Sequence, residues 1–112
     1  MKIYHNPRCE KSRAGLAFLL DHGADPEVRE YLKDPLSEKE LDQLIRKLDI
    51  PAEELVRKQE EKYRKELKGK AISEKEWIRI LVANPKLIHR PIIEKGEKAV
   101  IGDPVENIQP LL

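Results

Sequence analysis

The sequence predicts an α/β chain with a mixed sheet, and three features lead there. A short β-prone run, Lys2-Ile3-Tyr4, passes through a polar loop into Ala14-Gly15-Leu16-Ala17-Phe18-Leu19-Leu20, which reads as helix. A second β-prone run, 27–32, follows that helix, and two strands joined by a helix are parallel neighbours. Near the end, Pro91-Ile92-Ile93-Glu94 and Lys98-Ala99-Val100-Ile101 flank Lys95-Gly96-Glu97, a hairpin signal that adds antiparallel strands.

Taken in order, Lys2–Tyr4 is expected to be a central strand. The helix after the loop should run to about His22, with Leu16, Leu19 and Leu20 toward the core and Gly23 as its C-terminal cap. In the run 27–32, Val28 and Leu32 stand opposed to polar neighbours. Ser37-Glu38-Lys39-Glu40 is a capping-box pattern, and Leu41, Leu44, Ile45 and Leu48 mark the buried face of the helix it opens. Pro51–Arg57 and Gln59–Leu67 read as two short helices, the latter mostly exposed, and Lys68-Gly69-Lys70 reads as a turn. Ser73-Glu74-Lys75-Glu76 repeats the capping box before Trp77, Ile78, Leu81 and Val82, and Asn84-Pro85 ends that helix. A closing helix, 104–111, should start with Asp103 as N-cap and Pro104 in its first position. Strand–helix–strand followed by hairpin–helix is the thioredoxin-like arrangement. The helices at about 37–83 form an insertion in a single domain spanning 1–112, with no linker to divide it and no internal repeat.

Composition narrows the partners. At 112 residues with 39% hydrophobic side chains, the chain can bury one core. Charged residues reach 38%, but Lys and Glu nearly cancel to a net charge of +1, so no concentrated basic patch points to nucleic acid. No apolar run is long enough to span a bilayer and no signal peptide is visible, so a cytoplasmic protein without a membrane partner is expected. One cysteine cannot form an internal disulfide, which fits a reducing compartment.

The chemistry concentrates in Tyr4-His5-Asn6-Pro7-Arg8-Cys9-Glu10-Lys11-Ser12-Arg13. Cys9 stands where strand hands over to helix, and the first N–H groups of a helix are unpaired and favour an anion. Arg8, Lys11 and Arg13 add positive charge, His5 can hydrogen-bond into the loop, and Ser12 can donate to a thiolate. A thiol so placed has a lowered pKa and is nucleophilic at neutral pH. The bland alternative, a small buried cysteine, fits poorly beside so many polar and basic neighbours. A structural hydrogen bond to the loop backbone is an equal reading for His5. The spacing from Cys9 to Arg13 is too short for a phosphatase loop, His5, His22 and His89 lack metal-ligand spacing, and there is no Gly-rich phosphate loop.

The loop resembles the active-site loop of the glutaredoxin-coupled arsenate reductase family. The similarity continues through Glu30-Tyr31-Leu32-Lys33-Asp34-Pro35, Leu55-Val56-Arg57-Lys58, Asn84 to Ile93 and Ile101-Gly102-Asp103-Pro104, which covers essentially the whole chain. The resemblance implies a thioredoxin-like fold in which Pro91 is cis and faces the cysteine. It implies that Cys9 is the nucleophile, that His5, Ser12 and Arg13 tune it, and that Arg57 and Arg90 hold an oxyanion. Arginine suits that task because its planar fork donates two bonds at once. It further implies an oxyanion reduced through a Cys9 adduct, with glutathione as co-substrate and glutaredoxin as partner, and with no bound cofactor and no metal. Asp103 stands where arsenate-reducing members carry a third arginine, and Glu10 where a small or uncharged residue is expected; both predict weakened arsenate binding. Two further readings are a redox-responsive regulator of the same fold that binds RNA polymerase, which in that branch uses a second cysteine absent here, and a glutathione-dependent reductase of another substrate.

Overall fold

The computed structural model describes all residues, 1–112. The chain divides into two compact units: Met1–Asp34 together with Arg90–Leu112, and Pro35–His89. The sequence reading places its insertion at about 37–83, inside the second.

The first unit is a four-stranded sheet in the order β2-β1-β3-β4. Strand β1 (Lys2–His5) is central and leads through the cysteine loop into helix α1 (Glu10–Asp21). Strand β2 (Glu27–Glu30) lies parallel to β1, with Lys2 opposite Glu27 and His5 opposite Glu30. Strand β3 (Ile92–Lys95) runs antiparallel on the other side of β1 and turns at Gly96-Glu97 into β4 (Lys98–Ile101). Gly96 has φ +61°, the left-handed conformation that a tight hairpin needs and glycine supplies without strain. The core joins Ile3, Leu19, Ile93, Ile108 and Leu111, with Leu16, Phe18 and Val100 packed against it.

Three expectations for this unit are corrected. Leu20 is 55% exposed: the buried stripe of α1 is Ser12, Gly15 and Leu19, and Leu20 lies one helical step beyond it. Strand β2 ends at Glu30, and Val28 is 46% exposed although Ile3, its register partner on the same face, is fully buried. The cover over that face therefore stops short of the sheet edge. Finally, Asp103 does not cap the last helix. That element is a 3-10 helix, Val105–Leu111, entered from Pro104 without a side-chain cap, and it contains Pro110, which has no N–H to give to an α-helical ladder.

In the second unit, α2 (Glu38–Leu48) begins with a complete capping box: Glu40 N–H donates to Ser37 Oγ at 3.1 Å and Ser37 N–H to Glu40 Oε1 at 3.0 Å. Leu41, Leu44 and Ile45 are buried, whereas Leu48 is only half-buried. Helix α3 (Glu74–Ala83) buries Trp77, Ile78 and Leu81, with Val82 half-buried. Its cap is half of a box: Ser73 Oγ accepts Glu76 N–H at 3.2 Å, but the Glu76 carboxylate takes the Ser73 hydroxyl rather than its N–H. Between these helices lie a 3-10 turn, Ala52–Leu55, and a wide π-helical turn, Tyr63–Leu67, closed by Lys68 N–H to the Tyr63 carbonyl at 2.8 Å. These replace the two short helices expected at 51–57 and 59–67. No helix of the chain is long and apolar enough to cross a membrane.

Candidate active site

The loop that carries Cys9 is wound by Asn6. Its backbone carbonyl accepts Cys9 N–H at 3.0 Å and its side-chain Oδ1 accepts Arg8 N–H at 3.1 Å. This is a self-bonded turn of the kind Asn favours, and Asn6 is buried within it. Cys9 is then the N-cap of α1, with extended backbone (φ −96°, ψ 123°), and its carbonyl accepts Arg13 N–H at 3.0 Å. Serine, threonine and aspartate usually fill that position with an oxygen that accepts a free helical N–H. Here a cysteine stands in that position, and its side chain makes no cap hydrogen bond.

The partly exposed Cys9 thiol is held below the ordinary cysteine pKa. Burial pushes it up, but a hydrogen bond from the Arg90 side chain, the backbone N–H groups of Ser12 and Lys11, and the charge of Arg90 together outweigh burial. Arg90 lies two residues before β3, and its bond to the buried Pro91 is cis; Asp103–Pro104 is cis as well. Pro91 presses on α1: a Cβ added at Gly15 would stand 2.6 Å from Pro91 Cγ, too close for contact. A glycine inside a helix costs about 1 kcal/mol against alanine, and the close approach accounts for it.

Ser12 takes a different part from the one expected. Its backbone N–H faces the sulfur, while its buried hydroxyl lies 2.7 Å from His5 Nδ1 and accepts Asn6 N–H at 2.9 Å. His5 is buried and its pKa is lowered: burial disfavours the charged ring most, Glu30 opposes this, and Arg13 adds to it. A neutral imidazole with Nδ1 as acceptor lets the Ser12 hydroxyl donate to it while its oxygen accepts from Asn6. Arg13 is exposed, and its Nη1 donates to the Pro7 carbonyl at 3.0 Å, which braces the loop. Lys11, on the first turn of α1, is paired with Asp103 at 3.1 Å.

The first unit thus brings together Cys9, His5, Ser12, Arg13, Arg90 and Pro91. Arg57 belongs to the second unit, where its Nη1 donates to Glu60 Oε1 at 2.9 Å and its N–H to the Leu87 carbonyl at 2.7 Å. Asn6-Pro7 marks a loop in the sequence, but sequence reasoning missed the Asn6 hydrogen bonds that wind it, and missed Gly15 as a builder of the site. Signals for both were present, in an Asx residue two before a loop N–H and in a glycine inside an apolar helix. Nowhere do three His, Cys, Asp or Glu side chains gather in a metal-holding group.

A sheet of this order, with a cysteine at the start of its first helix and a cis proline packed on that helix, defines a thioredoxin-like protein. The model described as "ArsC family" matches residues 4–111, so the chain belongs to the ArsC family. It is 36% identical over 114 residues to the arsenate reductase of Neisseria meningitidis serogroup A, covering 100% of this chain and 97% of that one. It is 43% identical over 110 residues to the uncharacterized Escherichia coli protein YfgD, covering 96% and 92% of the two. Among solved structures, the arsenate reductase from Vibrio cholerae superposes with a TM-score of 0.94 at 35% identity, covering 99% of this chain and 96% of that one.

Proposed function

We propose that the chain is a thiol oxidoreductase of the arsenate reductase kind, acting through Cys9 alone. The observation that carries this reading is the Cys9 sulfur at the start of α1, facing two backbone N–H groups and the Arg90 side chain. The same groups that stabilise the thiolate suit an oxyanion bonded to it. Relatives named as arsenate reductases at 36–37% identity over nearly the full length favour the same chemistry.

In the proposed cycle the Cys9 thiolate bonds to the central atom of the oxyanion and displaces an oxygen, which leaves as water after protonation. An outside thiolate then bonds to Cys9 Sγ. The bond from Sγ to the central atom breaks, and its electron pair stays with that atom, which is reduced by two electrons. The two sulfurs end as a mixed disulfide. With one cysteine in the chain, that second thiol must come from outside. Glutathione fills the role in this reading, and glutaredoxin then reduces the mixed disulfide. Arg90 is assigned to the oxyanion, and His5, Ser12, Arg13 and Pro91 to support of Cys9. The cycle needs no resident cofactor or metal, and a reducing cytoplasm suits it.

A second reading, a reductase of another substrate with the same thiol chemistry, is favoured by the Lys11–Asp103 pair, which sets a carboxylate beside α1. The deciding experiment is arsenate reduction with glutathione and glutaredoxin, wild type against Cys9→Ser. Turnover lost in the variant supports the first reading. Wild-type protein that alkylates fast at Cys9 yet leaves arsenate untouched moves the function to the second.

A further inference from the structure

An open cavity of about 280 Å³ adjoins the cysteine loop. One wall is Asn6, Pro7 and Arg8, directly before Cys9, and the other is Glu30, Leu32 and Lys33, at the end of β2 and in the turn after it. It lies beyond the carboxyl ends of two adjacent parallel strands, β1 and β2. Strand β3 stands on the opposite side of β1 and brings Arg90 to the sulfur. The cysteine loop therefore has an arginine on its β3 flank and an open cleft on its β2 flank.

The chemistry of the cleft differs from that of the sulfur's own surroundings. Pro7 and Leu32 give it an apolar part. Arg8 is exposed, and its guanidinium is not tied into an ion pair. Lys33 is 80% exposed and only loosely paired, 3.6 Å from Glu30 Oε1. Two available cations and one carboxylate at the rim of a mostly apolar lining match a compact zwitterion with more than one carboxylate. The volume is near the lower end of the range for small-molecule pockets, about 300–1,000 Å³.

The geometry points to this cleft as the docking site of the external thiol, which would be a low-molecular-weight thiol bearing carboxylates. This rests on the proposed function, because a lone cysteine needs that thiol. Docked there, the thiol has its carboxylates on Arg8 and Lys33 and its ammonium on Glu30, and approaches Cys9 from the side opposite Arg90. Its thiolate then bonds to Cys9 Sγ as described above, and the group carried by Cys9 departs with the electron pair.

The test needs no oxyanion. Cys9 is converted to its methyl disulfide, and removal of the methylthio group is followed by mass spectrometry with three thiols: glutathione, neutral 2-mercaptoethanol and cationic cysteamine. For Lys33→Glu relative to wild type, the glutathione rate should fall about tenfold, the 2-mercaptoethanol rate should hold, and the cysteamine rate should rise. Arg8→Gln should lower the glutathione rate relative to the neutral thiol in the same direction. Equal changes for all three thiols, or none, would overturn the assignment. A charge order as expected in a protein that does not reduce arsenate would keep the docking site and remove the oxyanion reading instead.

Discussion

Asp103 Oδ2 lies 3.1 Å from Lys11 Nζ, so the segment that enters the closing helix is tied to the first turn of the helix that Cys9 opens. Both side chains are well exposed, at 40% and 64%, and such a pair contributes about 0–1 kcal/mol to stability. Its larger effect is on the local field. The pair neutralises the lysine's charge near the end of α1 that favours anions.

Asp103→Arg should therefore lower KM for arsenate. A unit charge about 6 Å away contributes at most roughly 3 kcal/mol at an effective dielectric of about 20, and exposure reduces this to about tenfold in KM. None of the groups that set the acidity of Cys9 is Asp103, so its alkylation rate should stay nearly constant. A variant with unchanged KM would show that Asp103 does not face the anion. Because Asp103 caps no helix, its replacement should not bring the loss of about 1 kcal/mol that removing an N-cap does.

Arg90→Met keeps much of the side chain's bulk and removes its hydrogen bond and charge. The thiolate is the reactive form, so raising the Cys9 pKa lowers its fraction at any fixed pH below that value. Iodoacetamide alkylation at neutral pH should slow several-fold, with the rate curve displaced to higher pH. An unmoved curve would leave the helix start as sufficient cause of the acidity.

Ser12→Ala separates hydroxyl from backbone. The Ser12 N–H stays on the sulfur, so the alkylation curve should barely move. The buried Asn6 N–H and His5 Nδ1 both lose their partner, and unsatisfied groups of this kind cost about 1–3 kcal/mol each, read as a lower urea midpoint. A large shift in the curve with unchanged stability would return the hydroxyl to the thiolate.

His5 predicts an acid limb. Its folded pKa lies below the ordinary 6.5, so as pH falls through 6.5 the unfolded chain takes up a proton that the folded chain refuses. Stability should decline from about that pH down to the folded pKa and then level off for this group. His5→Asn should flatten that part of urea-midpoint profiles between pH 7 and 5. Parallel profiles for wild type and variant would mean that His5 titrates alike in both states.

What the sequence makes legible is local. The handover at Cys9, the turn at Gly96, the box at Ser37 and the parallel pairing across α1 all follow from patterns a few residues long. Contacts between distant segments are less legible. Periodicity assigns Leu20 and Val28 to apolar faces but does not say how far the neighbouring layer reaches over them. Ser12 offers a hydroxyl and an N–H, and only the folded loop decides that the hydroxyl goes to His5 and Asn6. Asp103 before a proline matches a helix start, and its pairing with Lys11 depends on where α1 passes.

The position of Arg90 has a consequence for biosynthesis. The first unit is left at Asp34 and re-entered at Arg90. A ribosome releases Cys9 and α1 first, while the arginine that acidifies the sulfur and β3, which completes the pairing of β1, follow only after the whole second unit. An incomplete chain thus displays a thiol without its activating arginine and a strand with one side unpaired. The late pairing delays the native sheet, but it also keeps the nucleophile comparatively quiet until the fold that is to use it has closed.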